Sequence, residues 1–264
     1  MPFAKEPAAP AVAAQLPLWD DAAATPSVNV RHSRRARRIA VRIAATGQVE
    51  LVVPRGVSEH RAWAFLRSQS EWIGRQVARR RALLPAPQAF PPRELRLALT
   101  GETWRLFQAG GRGRPRLLVQ PHAGGGAGPK GGLLELRGTG TVEQWRRCLV
   151  AWLRRHALDE LGRRLAEQAR RHGLSYSAVK VRQQRTRWGS CSSRGVISLN
   201  VALLFQPPDV VRYLLCHELA HTRHMDHSQR FWRLVAQCEP RWRELDRALL
   251  SGWRHVPAFL RETT

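Results

Sequence analysis

The feature that most constrains this chain is the run His217-Glu218-Leu219-Ala220-His221. A helix turns once every ~3.6 residues, so two histidines four positions apart project from one face and can bind the same metal ion. A carboxylate beside the first histidine is where a zinc-activated water would find a proton acceptor. The motif therefore predicts a helix that carries zinc ligands together with a general base for hydrolysis.

The residues before the motif predict that it lies on a helix with a buried back. Asp209 follows two prolines and is expected to cap the start of this helix. Four apolar residues repeat with a helical period after it: Val210, Val211, Leu214 and Leu215. We therefore expect one face of the helix to pack into a core while the other carries the histidines.

His227 is the predicted third ligand, because the six residues after His221 let the chain leave the helix and turn back. Three histidines leave a fourth position open for water, as in catalytic zinc sites.

His224 stands where the metzincin signature has a turn glycine, and no Met-turn follows, since Met1 and Met225 are the only methionines. A metzincin is thus disfavoured. His224 is expected either to form the turn in a left-handed conformation or to polarise the substrate carbonyl.

Further runs flank the motif: Arg187-Trp188-Gly189-Ser190-Cys191-Ser192, Gly195-Val196-Ile197-Ser198-Leu199-Asn200, His227-Ser228 and Phe231-Trp232. With the motif they resemble the YgjP-like metallopeptidase-domain family, small bacterial zincins related to the SprT and WLM groups. The resemblance is specific over about residues 179 to 240 and continues more weakly into the N-terminal half.

The resemblance implies one zinc ion per chain, held by His217, His221 and His227, with Glu218 as the catalytic base. Asp226 departs from the family pattern, in which asparagine is more usual, and residues 122 to 132 resemble an insertion. Neither departure touches the expected ligands.

Alternating residues around Ile197 and Leu199 predict a strand directly before the motif helix, with a partner strand at Val179 and Val181. By analogy with zincins, this strand would lie along the cleft and pair with an extended peptide. The segment from Trp188 to Cys191 is expected to connect the two strands. Its tryptophan either anchors a tight turn or contacts substrate. The candidates for contact with the substrate or its oxyanion are His224, Trp188 and Asn200.

The chain is predicted to be α+β, with a zincin-like catalytic domain over residues 141–256. This domain would contain a long helix, a small β-sheet and the helix of the motif. Thr141 and Gln144 form a capping box that begins the long helix, and Gly173 ends it.

A smaller α+β domain is predicted over residues 28–140. It would contain a hairpin turning at Thr46-Gly47, a helix capped by Ser58 and four further strands. A flexible glycine-rich loop is expected over residues 122–132, a disordered Ala/Pro-rich tail over 1–27 and a C-terminal tail over 257–264. The four strands are expected around Leu95 to Leu99, Trp104 to Phe107, Leu117 to Val119 and Leu133 to Leu136.

The cysteines predict a reducing compartment. Cys148, Cys191, Cys216 and Cys238 are widely spaced and form no C-x-x-C pair, which is typical of reduced cytoplasmic thiols. Cys216 and Cys238 are expected in the core.

No signal peptide and no apolar run of the ~18 residues that a membrane span needs are found, so we expect a cytoplasmic protein without membrane contact.

The formal net charge is +24, with 44 basic against 20 acidic residues. Almost all the basic residues are arginines, which a GC-rich genome favours, but this bias does not explain the excess over acidic residues. The surface is expected either to make sequence-nonspecific contact with DNA or RNA or to be merely solvated. No nucleic-acid recognition motif accompanies the arginines.

Three functions are compatible with these patterns. The favoured one is a zinc-dependent peptidase that hydrolyses polypeptides, with nucleic-acid-associated proteins as one substrate class. The second is a metal-dependent nucleotide pyrophosphohydrolase, and the third a non-enzymatic nucleic-acid-binding module with a structural zinc. Three histidines beside a glutamate argue against the third, because structural sites close the fourth position with protein atoms. No feature of the sequence predicts an oligomeric state.

Overall fold

The computed structural model describes residues 28–34, 36–44, 46–82, 84, 89–122, 130–184 and 186–261. The expected disordered tail, residues 1–27, and residues 123–129 of the glycine-rich loop lie outside the described residues. The chain divides into two compact units, residues 1–83 and 84–264. The sequence instead predicts the boundary at residue 140. In the structure, the strands from Glu94 to Arg137 share a compact unit with the long helix that follows them.

The N-terminal unit is a three-stranded sheet followed by two helices. Its elements are β1 (Val28–Ser33), β2 (Ala40–Ile43), β3 (Val49–Pro54), α1 (Glu59–Ser68) and α2 (Ser70–Ala82). The sheet order is β1-β3-β2, with β1 parallel and β2 antiparallel to β3. The predicted hairpin and the Ser58 cap are confirmed, and Gly47 takes the positive φ of 78° that the turn needs. The expected single helix is two helices that meet at Gln69.

Strand β1 was not predicted from the sequence. Its exposed arginine, Arg31, forms an ion pair of 2.9 Å with Glu50 on β3. Val28 and Val30 alternate with Asn29 and Arg31, but both valines are only partly buried against the core, and no alternation continues beyond Arg31. Val49, Leu51 and Val53 of β3 instead point into the core with Leu66 and Ile73 of the helices.

The C-terminal unit begins with a four-stranded sheet. Its strands are β4 (Glu94–Leu97), β5 (Glu102–Gly110), β6 (Arg116–Pro121) and β7 (Gly131–Arg137). They lie in the order β4-β5-β7-β6, with β5 and β7 parallel and the other pairs antiparallel. The four predicted strands are thus confirmed.

Helix α3 (Val142–His172) is the longest element of the described chain. Thr141 and Gln144 form the predicted capping box, and Gly173 ends the helix in a left-handed conformation with φ of 62°. Its buried residues recur about once per turn: Trp145, Leu149, Leu153, Ala157, Leu161, Leu165, Gln168 and Ala169. This stripe packs against the motif helix.

The second sheet consists of β8 (Ala178–Arg182), β9 (Gly189–Cys191) and β10 (Val196–Asn200), in the order β8-β10-β9. The predicted parallel partners Val179 and Val181 lie on β8 beside β10. The prediction that residues 188–191 only connect two strands is wrong, because Gly189–Cys191 pair antiparallel with β10. A strand of three small residues has no apolar alternation by which it could be predicted.

The remaining helices are α4 (Pro208–Ala220), α5 (Gln229–Cys238), α6 (Trp242–Leu250) and α7 (Ala258–Arg261). Helix α4 carries the motif, and α5 and α6 pack against it. The prediction that Asp209 caps α4 is wrong: Pro207 occupies the cap position, and the Asp209 carboxylate accepts the N–H of Val210 and forms an ion pair of 3.8 Å with Arg241. Prolines at the first helical positions need no capping partner, because they lack the N–H.

Part of the expected C-terminal tail is ordered. Phe259 of α7 is buried, and its ring lies 5.7 Å from that of Phe90. The described chain is therefore an α+β protein of seven helices and three small sheets. Within the described ranges, every helix is too short or too polar to form a membrane span. The cytoplasmic location stays a prediction.

We expect Leu161→Ala to lower the free energy of unfolding by about 2–5 kcal/mol, because it leaves a cavity in the core beneath the buried face of α3. Leu161 is 0% exposed, whereas Leu158, on the same helix, is 41% exposed. Leu158→Ala is the matched control and should cost less than about 1 kcal/mol. Urea unfolding followed by circular dichroism measures both, and equal losses would contradict the burial stripe of α3.

Candidate metal centre

The three predicted histidine ligands come together at the end of α4. His217 lies in its last turn, His221 directly follows it, and His227 lies just before α5. One ligand atom of each histidine lies within 4.8 Å of the other two. The sequence spacing that predicted a three-histidine set is thus matched by their positions.

The separation of two of the ring nitrogens fits a tetrahedral metal. His217 Nε2 lies 3.4 Å from His227 Nε2. Two nitrogens that each lie about 2.0–2.1 Å from a tetrahedral zinc ion are about 3.3–3.4 Å apart. The donor set and this distance therefore fit a zinc ion held by the three imidazoles.

Tyr213 and Asp246 orient the imidazole of His217. The Tyr213 hydroxyl donates to Asp246 Oδ1 at 2.8 Å, which leaves its oxygen free to accept from His217 Nδ1 at 3.5 Å. A proton on Nδ1 leaves the lone pair of Nε2 available for a metal. Burial, with the neighbouring His221 and His227, lowers the pKa of His217 to about 3. The ring is therefore neutral, as a ligand must be.

The ring of His221 is fixed in the same way. Its Nδ1 lies 3.1 Å from the backbone carbonyl oxygen of His224 and can donate to it. Burial also lowers the pKa of His221. The partner is a main-chain atom set by the turn after α4, so the orientation of His221 depends on the path of the backbone at residue 224.

Two aromatic residues of α5 support all three imidazoles. The ring of Phe231 lies 4.9, 4.5 and 4.8 Å from those of His217, His221 and His227. The ring of Trp232 stacks with that of His227, with centroids 5.7 Å apart. It also stacks with the ring of Trp242 on α6, with centroids 4.4 Å apart. Aromatic packing thus restricts the rotamers of side chains that would otherwise be mobile in part-exposed positions.

Glu218 is enclosed directly against the backbone of β9. It is 4% exposed, and a Cβ on Gly189 would lie 2.5 Å from its Oε1. Burial raises the pKa of Glu218 to about 8, against the opposing charge of Arg187. Its Oε2 is buried and has no hydrogen-bond partner among the described residues. A buried carboxylate oxygen without a partner is costly, so this atom is available to a group that approaches the histidines.

The contacts of Trp188 and Asn200 are structural. Trp188 is buried, with its ring 4.5 Å from that of Trp253. Asn200 is 1% exposed, and its Nδ2 donates to the carbonyls of Gln184 and Arg187, each at 2.7 Å. Its Oδ1 accepts the N–H of Ala202. A role for Trp188 or Asn200 in contact with the substrate or its oxyanion stays a prediction.

His224 does not form a left-handed turn. All described residues with positive φ are glycines, so that prediction is wrong. The helical hydrogen-bond pattern instead continues into the turn, because the N–H of His224 donates to the Ala220 carbonyl at 3.0 Å. The His224 side chain lines a surface cavity with His172, Arg223, Arg230 and Arg233. A role of His224 in polarising a carbonyl stays a prediction.

The cleft strand also differs from the expectation. Strand β10, which precedes α4 in the sequence, is paired on both sides, by β8 and by β9. It therefore has no free edge for a peptide. Strand β9 is the outer strand beside it and contacts α4.

Several residues of the site were not identified from the sequence. Tyr213 and Asp246 were not singled out, although Tyr213 lies four residues before His217 and therefore on the same helix face. That spacing was the available signal for Tyr213. No local signal exists for Asp246, which comes from α6, or for the close approach of Gly189 to Glu218.

We expect Tyr213→Phe to weaken metal binding by about 10- to 100-fold, because it removes the hydrogen-bond partner of His217. Tyr176→Phe is the matched control, since Tyr176 is the other tyrosine of the chain and is not in the site. Competition with a chromophoric chelator measures zinc affinity for both variants. Equal affinities would show that the hydroxyl does not orient the ligand.

Comparison with known proteins assigns the family. The chain matches the YgjP-like family, metallopeptidase domain, over residues 37–251. A crystal structure of the metallopeptidase zymogen of Pyrococcus abyssi abylysin is similar to part of it, with 25% identity and a TM-score of 0.34, covering 37% of this chain and 99% of that one. No curated protein matches the chain. Since the family match spans well over half its length, the chain belongs to the YgjP-like metallopeptidase-domain family and is, at the level of that family, a metal-dependent peptidase.

Proposed function

We propose that this protein is a zinc-dependent peptidase in which His217, His221 and His227 hold one zinc ion and Glu218 is the general base. The observation that carries the proposal is the convergence of three imidazoles next to a buried carboxylate with an unpartnered oxygen. When bound, zinc would supply Lewis-acid chemistry that acidifies a water and polarises the scissile carbonyl. Three protein ligands leave a position for these groups.

Glu218 would carry the proton through the reaction. Its carboxylate would take a proton from the attacking water and return it to the leaving amine. The pKa of about 8, raised by burial, lies close to neutral pH, where a group can both accept and release a proton. A nearby cation favours the ionised form, so we expect the loaded site to shift the carboxyl towards the base that the first step needs.

Strand β9 would position the substrate. An extended peptide can add to the edge of a sheet through main-chain hydrogen bonds, and β9 is the strand whose backbone packs against Glu218. A peptide paired there would pass close to the carboxylate. Gly189 has to remain without a side chain for this arrangement, because a Cβ would overlap Glu218.

Glu218→Gln tests the mechanism. The substitution keeps the shape but removes the proton acceptor, so we expect hydrolysis of an unfolded protein substrate to fall by about 10²- to 10⁴-fold. Glu167→Gln, an exposed glutamate on α3, is the control and should keep full activity. Bound zinc, measured by mass spectrometry, should be equal in all three proteins.

The same assay separates the alternatives. Chelation should abolish hydrolysis, and added zinc should restore it. Unchanged turnover in Glu218→Gln would reject the proposed base. Turnover of nucleoside triphosphates but not of polypeptides would favour the pyrophosphohydrolase, and stoichiometric zinc without any hydrolysis would favour the binding module.

We also propose that nucleic acid is a nonspecific partner, so that proteins bound to it are one substrate class. The support is the net charge of +24 and the location of Arg223, Arg230 and Arg233 around the cavity beside the end of α4. Among the described residues, no carboxylate pairs with Arg230 or Arg233. Such arginines can neutralise phosphates close to the metal centre.

Salt dependence tests this second proposal. Each phosphate contact contributes about −0.9 to the slope of log affinity against log salt on duplex DNA. The double substitution Arg230→Gln with Arg233→Gln should therefore reduce the slope by about two, without changing zinc content. If the affinity of the wild-type protein for duplex DNA hardly falls as the salt concentration rises from about 50 to about 200 mM, the phosphate contacts are excluded.

A further inference from the structure

A second group of potential metal ligands lies behind the motif helix, separate from the three histidines. It consists of His172, Cys216 and Cys238, whose ligand atoms all lie within 4.8 Å of one another. His172 is the last residue of α3, Cys216 lies on α4, and Cys238 is the last residue of α5. The group therefore joins α3 to two consecutive helices, α4 and α5, that come later in the sequence.

The side chains of this group have few other partners. The Nε2 atom of His172 is buried and has no hydrogen-bond partner among the described residues. Both cysteines are free thiols, and Cys216 is 0% exposed. Core packing alone would not require two thiols and an imidazole to meet.

A fourth polar side chain is adjacent. Gln168 lies one turn before His172 on the same face of α3, and its Oε1 is 3.8 Å from Cys216 Sγ. Gln168 is buried, in a stripe that otherwise consists of apolar residues. A buried glutamine among leucines needs a polar partner, and it offers an oxygen towards the same point.

The charge of the surroundings selects the ligand chemistry. Arg223, Arg230 and Arg233 line the cavity that reaches His172, so a dication needs anionic ligands to bind there. Two thiolates neutralise a dication, and Glu239, next to Cys238, is already paired with Arg212 at 2.7 Å. Thiolates with an imidazole form a ligand set that is typical of structural zinc sites, whereas hard cations prefer oxygen.

We propose that His172, Cys216 and Cys238 form a second, structural zinc site, whose fourth position is closed by Gln168 Oε1, and that the metal fastens α3, α4 and α5 together behind the peptidase centre. In a tetrahedral zinc site the ligand atoms are about 3.4–3.8 Å apart, so separations of up to 4.8 Å need only small side-chain movements. Cys216 directly precedes His217, so the metal would anchor α4 next to its first histidine ligand.

Cobalt titration of the full-length chain distinguishes the two sites. Cobalt bound by thiolate absorbs in the near ultraviolet through sulfur-to-metal charge transfer, whereas a three-histidine site lacks this band. The metal-free, reduced protein should bind two equivalents of Co²⁺, one of which produces the band. Zinc should displace both.

Variants assign each equivalent. Cys238→Ser should lose the band and one equivalent, whereas His227→Ala should lose the other equivalent and keep the band. Cys148→Ser is the matched control, since Cys148 lies on α3 away from the group, and it should keep both. His172→Gln, which keeps both cysteines, is a second variant in case Cys238→Ser does not fold.

The proposal would be overturned by a wild-type protein that binds one equivalent without the band, or by a band that persists in Cys238→Ser. A disulfide between Cys216 and Cys238 in protein freshly purified without a reductant would overturn it as well. These outcomes are independent of peptidase activity, so failure here is distinguishable from failure of the proposed function.

Discussion

The convergence of three imidazoles at the end of α4 is the constraint on which the rest of the site depends. Two of their nitrogens lie 3.4 Å apart, a distance that suits a shared metal but offers little stabilisation without one. The rings are therefore held by other contacts. Tyr213 and the His224 carbonyl set two of the tautomers, and Phe231 packs beneath all three. Helices α3, α5 and α6 pack against α4 and stabilise its position.

Burial of Glu218 is the second constraint, and it conflicts with ordinary folding preferences. A carboxyl at 4% exposure with an unpartnered oxygen lowers the stability of the protein. The neighbouring glycine backbone of β9 leaves just enough room for it. Such unfavourable local arrangements occur at functional sites, where the missing partner is a bound group. The proposed zinc site behind α4 would offset part of this instability from the opposite face of the same helix.

Local patterns were sufficient for much of the fold. The capping box at Thr141, the left-handed glycine at 173 and the alternation in β3 and β10 each depend on neighbours within a few residues, and each is confirmed. The predictions that are wrong, and the elements that were not predicted, also have physical causes. Strand β9 has three small residues and no alternation, and the start of α4 is set by prolines rather than by Asp209. Gln69 interrupts a helix without any glycine or proline to signal it.

The sequence by itself determined which chemistry is available: the spacing of His217, His221 and Glu218 on one helix requires only helical geometry. It also indicated His227 and the family. The tertiary structure decided which groups surround that chemistry. Asp246, the carbonyl of His224 and Gly189 reach the site from separate elements, and His172 meets Cys216 and Cys238 across three helices. Contacts between residues distant in sequence depend on how the elements pack, and neither periodicity nor motif spacing contains that information.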